Sequence, residues 1–73
     1  MRYFNTLRTH REAKQLSQWA VARDVDIQLT RYGRMEKGMT QPSYAEGVRL
    51  GALLGVDPAE LFPVSADEHA RAS

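Results

Sequence analysis

Apolar residues recur every three to four positions in five separate stretches of the chain, and nowhere alternate with period two for long enough to form a strand. The spacing predicts an all-α fold. A first helix is expected from about Tyr3 to Gln15, burying Phe4, Leu7 and Ala13 with Arg and Lys on its opposite side. Ser17 is placed to cap a second helix. Leu16 and Val21 stand at the spacing of a hydrophobic staple, and Ala20, Val21 and Val25 form the buried stripe. Asp26 falls in the break that follows, where the backbone must turn left-handed, a conformation that Asp tolerates and Gly adopts at lower cost. A third helix, from about Gln28 to Lys37, turns Ile27, Tyr32 and Met35 inward and ends at Gly38.

Ser43-Tyr-Ala-Glu46 fits a capping box, in which serine and glutamate satisfy each other's exposed amides at the start of a fourth helix. That helix runs to Leu54 and is apolar nearly all round, through Val48, Leu50, Ala52, Leu53 and Leu54, so it is expected at the centre of the fold. Gly55 ends it. Asp57-Pro58-Ala59-Glu60 opens a fifth helix with an N-cap, a proline at the first helical position and a second box-forming glutamate. Leu61 and Phe62 then close the core. Residues 1–63 thus read as one domain, and 64–73 as a polar tail, frayed or forming one further helical turn.

Seventy-three residues suit a single small domain, and a hydrophobic fraction of 42% is enough to fold most of it. Cysteine is absent, so the fold rests on apolar packing without disulfides or thiolate ligands. The longest apolar run, from Leu50 to Val56, is far short of the roughly 20 residues that span a bilayer, and no signal-like segment opens the chain; a cytoplasmic protein is expected. The net charge of +1 hides a division: residues 1–38 carry +4 and residues 39–73 carry −3. A basic half suits a polyanionic partner, and an acidic half suits the side facing away from it.

The third helix shows what the basic half is built to touch. Leu29 with Gly33, and Thr30 with Arg34, form two rows on the side opposite Tyr32 and Met35, and Arg31 also lies on the polar side. The face is narrow, small in the middle and bears a guanidinium. Such a surface fits the major groove of double-stranded DNA, where Arg bonds bidentately to guanine and a methyl-bearing side chain meets the thymine methyl. The start of the second helix, at Gln18, offers unpaired amides and the positive end of a dipole to a backbone phosphate.

From about Leu7 to Phe62 the chain resembles the lambda-repressor-like helix-turn-helix family, the type of Cro and the phage repressors. The resemblance is carried by R-E-A-K at 11–14, L-S-Q at 16–18, the alanine and isoleucine of A-x-x-x-x-I at Ala22 to Ile27, R-M-E-K-G at 34–38, P-S at 42–43 and L-G-V-D-P-A-E-L-F at 54–62. It implies a five-helix DNA-binding domain in which Gln28, Leu29, Thr30 and Arg34 reach base edges. Gln18, Arg31, Lys37, Thr40 and Gln41 would lie on the phosphate backbone, and Arg11 and Glu36 would pair to bridge the first helix to the end of the reading helix. It further implies a sequence-specific transcriptional regulator, a repressor above all, binding as a homodimer to a palindromic or pseudo-palindromic operator. Leu61, Phe62 and Val64, apolar residues far from the reading head, are the candidates for the dimer surface. No cofactor is implied.

Three departures from the family pattern stand out. Asp26 occupies a turn position where glycine is usual, and Gln28 stands where Ser or Thr usually caps the reading helix. Gly33 lies inside that helix, where it should cost about 1 kcal/mol relative to Ala. Gly47, Gly51 and Gly55 recur every four residues, leaving a groove open either to tight helix contact at a dimer interface or, the favoured reading, to an intramolecular aromatic side chain such as Tyr3, Phe4 or Tyr44. Trp19 is exposed by its helical position. It packs on the N-terminal segment, stacks near the DNA backbone or marks a protein-binding surface. The last option supports a rival reading, a protein-binding module on the same fold, such as an antitoxin or adaptor, using Trp19 and the third-helix face. Catalytic and metal roles find no support: His10 and His69 have no partner at ligand spacing, and the serines read as caps.

Overall fold

The computed structural model describes residues 3–63. Five helices follow one another: α1 (Leu7–Ala13), α2 (Gln18–Asp24), α3 (Leu29–Glu36), α4 (Tyr44–Leu54) and α5 (Pro58–Leu61), with no strand among the described residues. Leu7, Val21, Val25, Tyr32, Met35, Leu50, Leu54 and Leu61 make one core to which every helix contributes. None of the described helices is long and apolar enough to cross a membrane.

Helix starts follow the sequence closely. The Ser17 hydroxyl accepts from the Ala20 amide, and Ser43 and Glu46 form the complete capping box. Asp57 caps α5 through the Ala59 amide, with Pro58 in the first turn. Gln28 precedes α3 with no side-chain cap, as expected of a residue whose longer side chain replaces Ser or Thr.

Helix ends share one device. Gln15, Asp26, Gly38 and Gly55, the residues that close α1 to α4, all have left-handed backbone, with φ of 59°, 57°, 75° and 72°. After α1, Leu16 N–H reaches Arg11 C=O and Gln15 N–H reaches Glu12 C=O. After α2, Ile27 and Asp26 repeat the pattern on Ala22 and Arg23, and after α3 Met39 and Gly38 repeat it on Arg34 and Met35. These are Schellman closures, which satisfy carbonyls that a helix end would otherwise leave open.

The structure corrects four expectations. α1 begins at Leu7, not Tyr3: residues 3–6 are irregular, Phe4 is 70% exposed, and Ala13 is exposed. Asn5 and Thr6 stop the helix from extending backward, because both side chains and the Thr6 amide bond elsewhere. α4 is buried on one face only, through Gly47, Leu50, Gly51 and Leu54, while Tyr44, Val48 and Ala52 are exposed. No aromatic fills the glycine groove. A Cβ on Gly51 would lie 2.7 Å from Val56 O and 3.0 Å from Pro58 Cγ, so Gly51 admits α5; Gly55 supplies the left-handed end; a Cβ on Gly47 would meet nothing within 4 Å. Finally, Leu61 is fully buried inside its own chain and is not available to a dimer surface, and Phe62 is partly buried against the core. Val64, His69 and the tail at 64–73 lie outside the described residues.

Candidate nucleic-acid interface

α2 and α3 meet across the Asp26 turn, and α3 turns Tyr32 and Met35 into the core. Its opposite side is open: Gln28, Thr30 and Arg34 are exposed, Leu29 is 44% exposed, and no atom lies within 4 Å of a Cβ built on Gly33. All four expected base-reading residues are thus solvent-exposed, Gln28 at the N-cap and Leu29, Thr30 and Arg34 on α3, with room above Gly33 for a close approach.

Three polar anchors hold α3 from different directions. The strongest is centred on Glu36, whose side chain is 4% exposed. Its Oε2 accepts from Arg11 Nε and from the Tyr32 hydroxyl, both at 2.6 Å, and its Oε1 accepts from Arg11 Nη2 at 3.2 Å and Gln18 Nε2 at 3.0 Å. Arg11 spends a further donor on Leu16 O at 2.8 Å, so α1, the α1–α2 turn, α2 and α3 converge on one carboxylate. Burial pushes the Glu36 carboxyl up, but the hydrogen bonds from Arg11, Tyr32 and Gln18 outweigh it and hold the group below the ordinary carboxylate range. The same arrangement raises Arg11, chiefly through its bond to Glu36, and raises Tyr32, first by burial and then by its carboxylate acceptor.

The second anchor is bidentate: Arg31 Nη2 and Nε donate to Glu46 at 2.7 and 3.1 Å, and Nη2 also reaches Gln41 O at 3.3 Å. This bond from Arg31 holds Glu46 down to about 2, against the opposing effect of burial, with help from the Ser43 cap. Glu46 thus closes the α4 capping box and grips α3 at once. The third anchor comes from the N-terminal segment, where Tyr3 N–H bonds Gly38 O at 2.7 Å and Asn5 Nδ2 bonds Met35 O at 2.8 Å.

Two expected phosphate ligands therefore have internal work. Gln18 has its amide nitrogen on Glu36, and Arg31 is committed to Glu46 and the loop carbonyl. Lys37, Thr40 and Gln41 follow α3 on the adjoining loop, with Lys37 and Gln41 exposed and Thr40 half-buried. Exposed Met39 and Tyr44 border the same loop: Met39 lies outside any helix and carries no periodic signal, and Tyr44, expected as a groove filler, instead faces solvent. Nor does any spacing rule join Asn5 to Met35, or Arg31 to Glu46, across 30 and 15 residues. Trp19 is 57% exposed, and the Arg23 guanidinium sits over its ring at 4.6 Å. Among the described residues no group of acidic, His or Cys side chains is arranged to hold a metal.

A family model described as a helix-turn-helix domain matches residues 5–62. The crystal structure of the restriction-modification controller protein C.AhdI from Aeromonas hydrophila superimposes with a TM-score of 0.70 at 34% identity, over 77% of this chain and 85% of that one. Comparison with curated protein sequences gives no match. With the open α3 face, the turn after α2 and the match over nearly all the described residues in agreement, the chain belongs to the lambda-repressor-like helix-turn-helix family, and it is a DNA-binding transcription regulator.

Proposed function

We propose that this protein is a sequence-specific repressor that inserts α3 into the major groove and binds a palindromic or pseudo-palindromic operator as a homodimer. The observation that carries the reading is the exposed row of Gln28, Leu29, Thr30 and Arg34 on a helix anchored from three sides. Anchoring matters because base-edge hydrogen bonds need a fixed frame, whereas phosphate contacts only position it. Two such helices, one per subunit, would meet half-sites about 34–36 Å apart on one side of the duplex. Lys37, Thr40 and Gln41 are assigned to the phosphate backbone beside them. Gln18 is assigned there through the backbone amides at the start of α2, its side-chain nitrogen being held by Glu36. For the dimer surface Phe62 and Val64 remain the candidates. Similarity to a controller protein supports a regulatory role, with control through abundance or autoregulation.

Fluorescence-anisotropy titration against DNA from upstream of the protein's own gene, and against shuffled DNA, tests this. Selective binding of the upstream fragment is expected. Arg34→Ala should then lose about 1–3 kcal/mol on the preferred site and relax the preference at one base pair. Equal binding to both fragments, with Arg34→Ala unchanged, would instead favour the protein-binding reading. The open Trp19 ring gives that reading its one specific support, and Trp19→Ala would be its first test.

A further inference from the structure

Among the described residues of the N-terminal segment, Asn5 is the one whose side chain hydrogen-bonds the reading helix. Its Nδ2 donates to Met35 O, one of the last carbonyls of α3, at 2.8 Å, and its Oδ1 accepts from the Leu7 amide at the start of α1 at 3.0 Å. A carbonyl can only accept and an amide can only donate, so the site demands one donor and one acceptor on the same short side chain. A carboxamide supplies both; a carboxylate or a hydroxyl of this reach does not. The segment is fixed on either side of Asn5, by Tyr3 N–H on Gly38 O and by Thr6, whose amide and hydroxyl bond Leu61 O at 2.9 Å and Glu60 O at 2.7 Å. Gly38 leaves no space between itself and Tyr3: a Cβ there would overlap the Tyr3 carbonyl. The C-terminal end of α3 is therefore tied through residues 3–6 to both α1 and α5.

We propose that Asn5 is a positioning residue for base reading, setting the tilt of α3 without touching DNA. This rests on the reading of α3 as the base-reading helix. Leu29 lies six residues from Met35, about 9 Å along the axis, so a tilt of about ten degrees about the C-terminal end moves it by roughly 1.5 Å. That displacement is enough to break a base-edge hydrogen bond, while contacts to phosphates, governed by longer-range charge, tolerate it. The Glu36 anchor fixes α3 against α1 and α2 and the Arg31–Glu46 pair fixes it against α4, while the bonds at Met35 and Gly38 set where its C-terminal end sits against the N-terminal segment.

The test uses the full-length chain, a duplex selected by the wild-type protein from a randomised pool, and a shuffled duplex of the same composition. Asn5→Ser keeps a neutral acceptor for the Leu7 amide but is too short to reach Met35 O; Asn5→Ala removes both bonds. Both variants are compared with wild type well below their melting temperatures. Loss of one hydrogen bond's worth of positioning predicts that Asn5→Ser lowers the ratio of selected to shuffled affinity by roughly three- to tenfold, with binding to the shuffled duplex nearly unchanged and the melting temperature lowered only by the few degrees that one hydrogen bond contributes. An unchanged ratio, or equal loss on both duplexes tracking a lower melting temperature, would overturn the proposal. If the wild-type protein selects no sequence at all, the base-reading role of α3 fails and this inference fails with it, an outcome visible before any variant is made.

Discussion

Glu36 shows how much of the proposed DNA-reading surface can depend on a residue buried beneath it. It is a nearly inaccessible carboxylate with four donors on its two oxygens, so its charge is fully paired, and a single truncation leaves the largely enclosed Arg11 guanidinium, 11% exposed, without its partner. Removing one member of a buried ion pair costs about 3–5 kcal/mol, mostly through the orphaned charge. Glu36→Ala should therefore shift the urea midpoint strongly toward unfolding. Arg11→Met combined with Glu36→Leu should cost much less than the sum of the single changes, which a double-mutant cycle would measure. The pairing of Arg11 with Glu36 was legible in the sequence through family resemblance, but the recruitment of Gln18 and Tyr32 was not. An exposed position at the start of a helix suggests a solvent ligand for Gln18, and only the folded arrangement shows that its nitrogen turns inward.

The helices are legible in proportion to how local their signals are. Starts at Ser17, Ser43 and Asp57 are written in the cap residues, and the Asp26 turn in its position between two apolar stripes. The early start expected for α1 failed because Asn5 and Thr6 bond to α3 and α5, partners that no local pattern reveals. Gln15 was missed for a related reason: nothing in a polar side chain announces positive φ, and the Schellman closure becomes visible only with its hydrogen bonds. These left-handed ends carry a prediction. A residue with a Cβ pays about 1 kcal/mol or more for this conformation, which Gly adopts freely. Asp26→Gly and Gln15→Gly should each raise stability by up to about 1 kcal/mol in urea unfolding, the gain reduced by the greater freedom of Gly in the unfolded chain. The α3–α4 connection responds to acid instead. Folded, Glu46 keeps its charge down to about pH 2, whereas unfolded it takes a proton near 4.5, so between these values the unfolded chain binds more protons and stability falls as pH falls. Glu46→Gln should be less stable than wild type above about pH 4.5, with the gap closing toward pH 2 in pH-dependent urea melts. Arg31 is 40% exposed, so solvent screening keeps that gap small.

Across the whole molecule the division into a basic and an acidic half overstates the charge offered to a polyanion. Of the cations in residues 1–38, Arg11 and Arg31 are held by Glu36 and Glu46, and Arg8 and Arg23 are paired on the surface with Glu12 and Asp24. Lys14 lies near the end of α4, with its Nζ 3.7 Å from a Cβ built on Gly55. Arg34 and Lys37 are the basic residues that α3 and its following loop bring to the proposed DNA side, where Thr40 and Gln41 are neutral. Each phosphate neutralised by a cation contributes about −0.9 to the slope of log K against log salt concentration, so contact of both Arg34 and Lys37 with phosphates would give a slope near −2 per subunit on the preferred site, or roughly −4 for a dimer. Neutral hydrogen bonds add affinity without adding to that slope. Measured over a range of salt concentrations, Arg34→Ala should make the slope shallower by up to about 1 per subunit if its guanidinium sits close to phosphates as well as to a base, whereas Thr40→Ala should weaken binding at every salt concentration and leave the slope alone. A wild-type slope far steeper than this would mean that Arg31 leaves Glu46 for a phosphate on binding. Glu46→Gln separates the two cases, because releasing Arg31 in advance would then strengthen DNA binding at low salt rather than leave it unchanged.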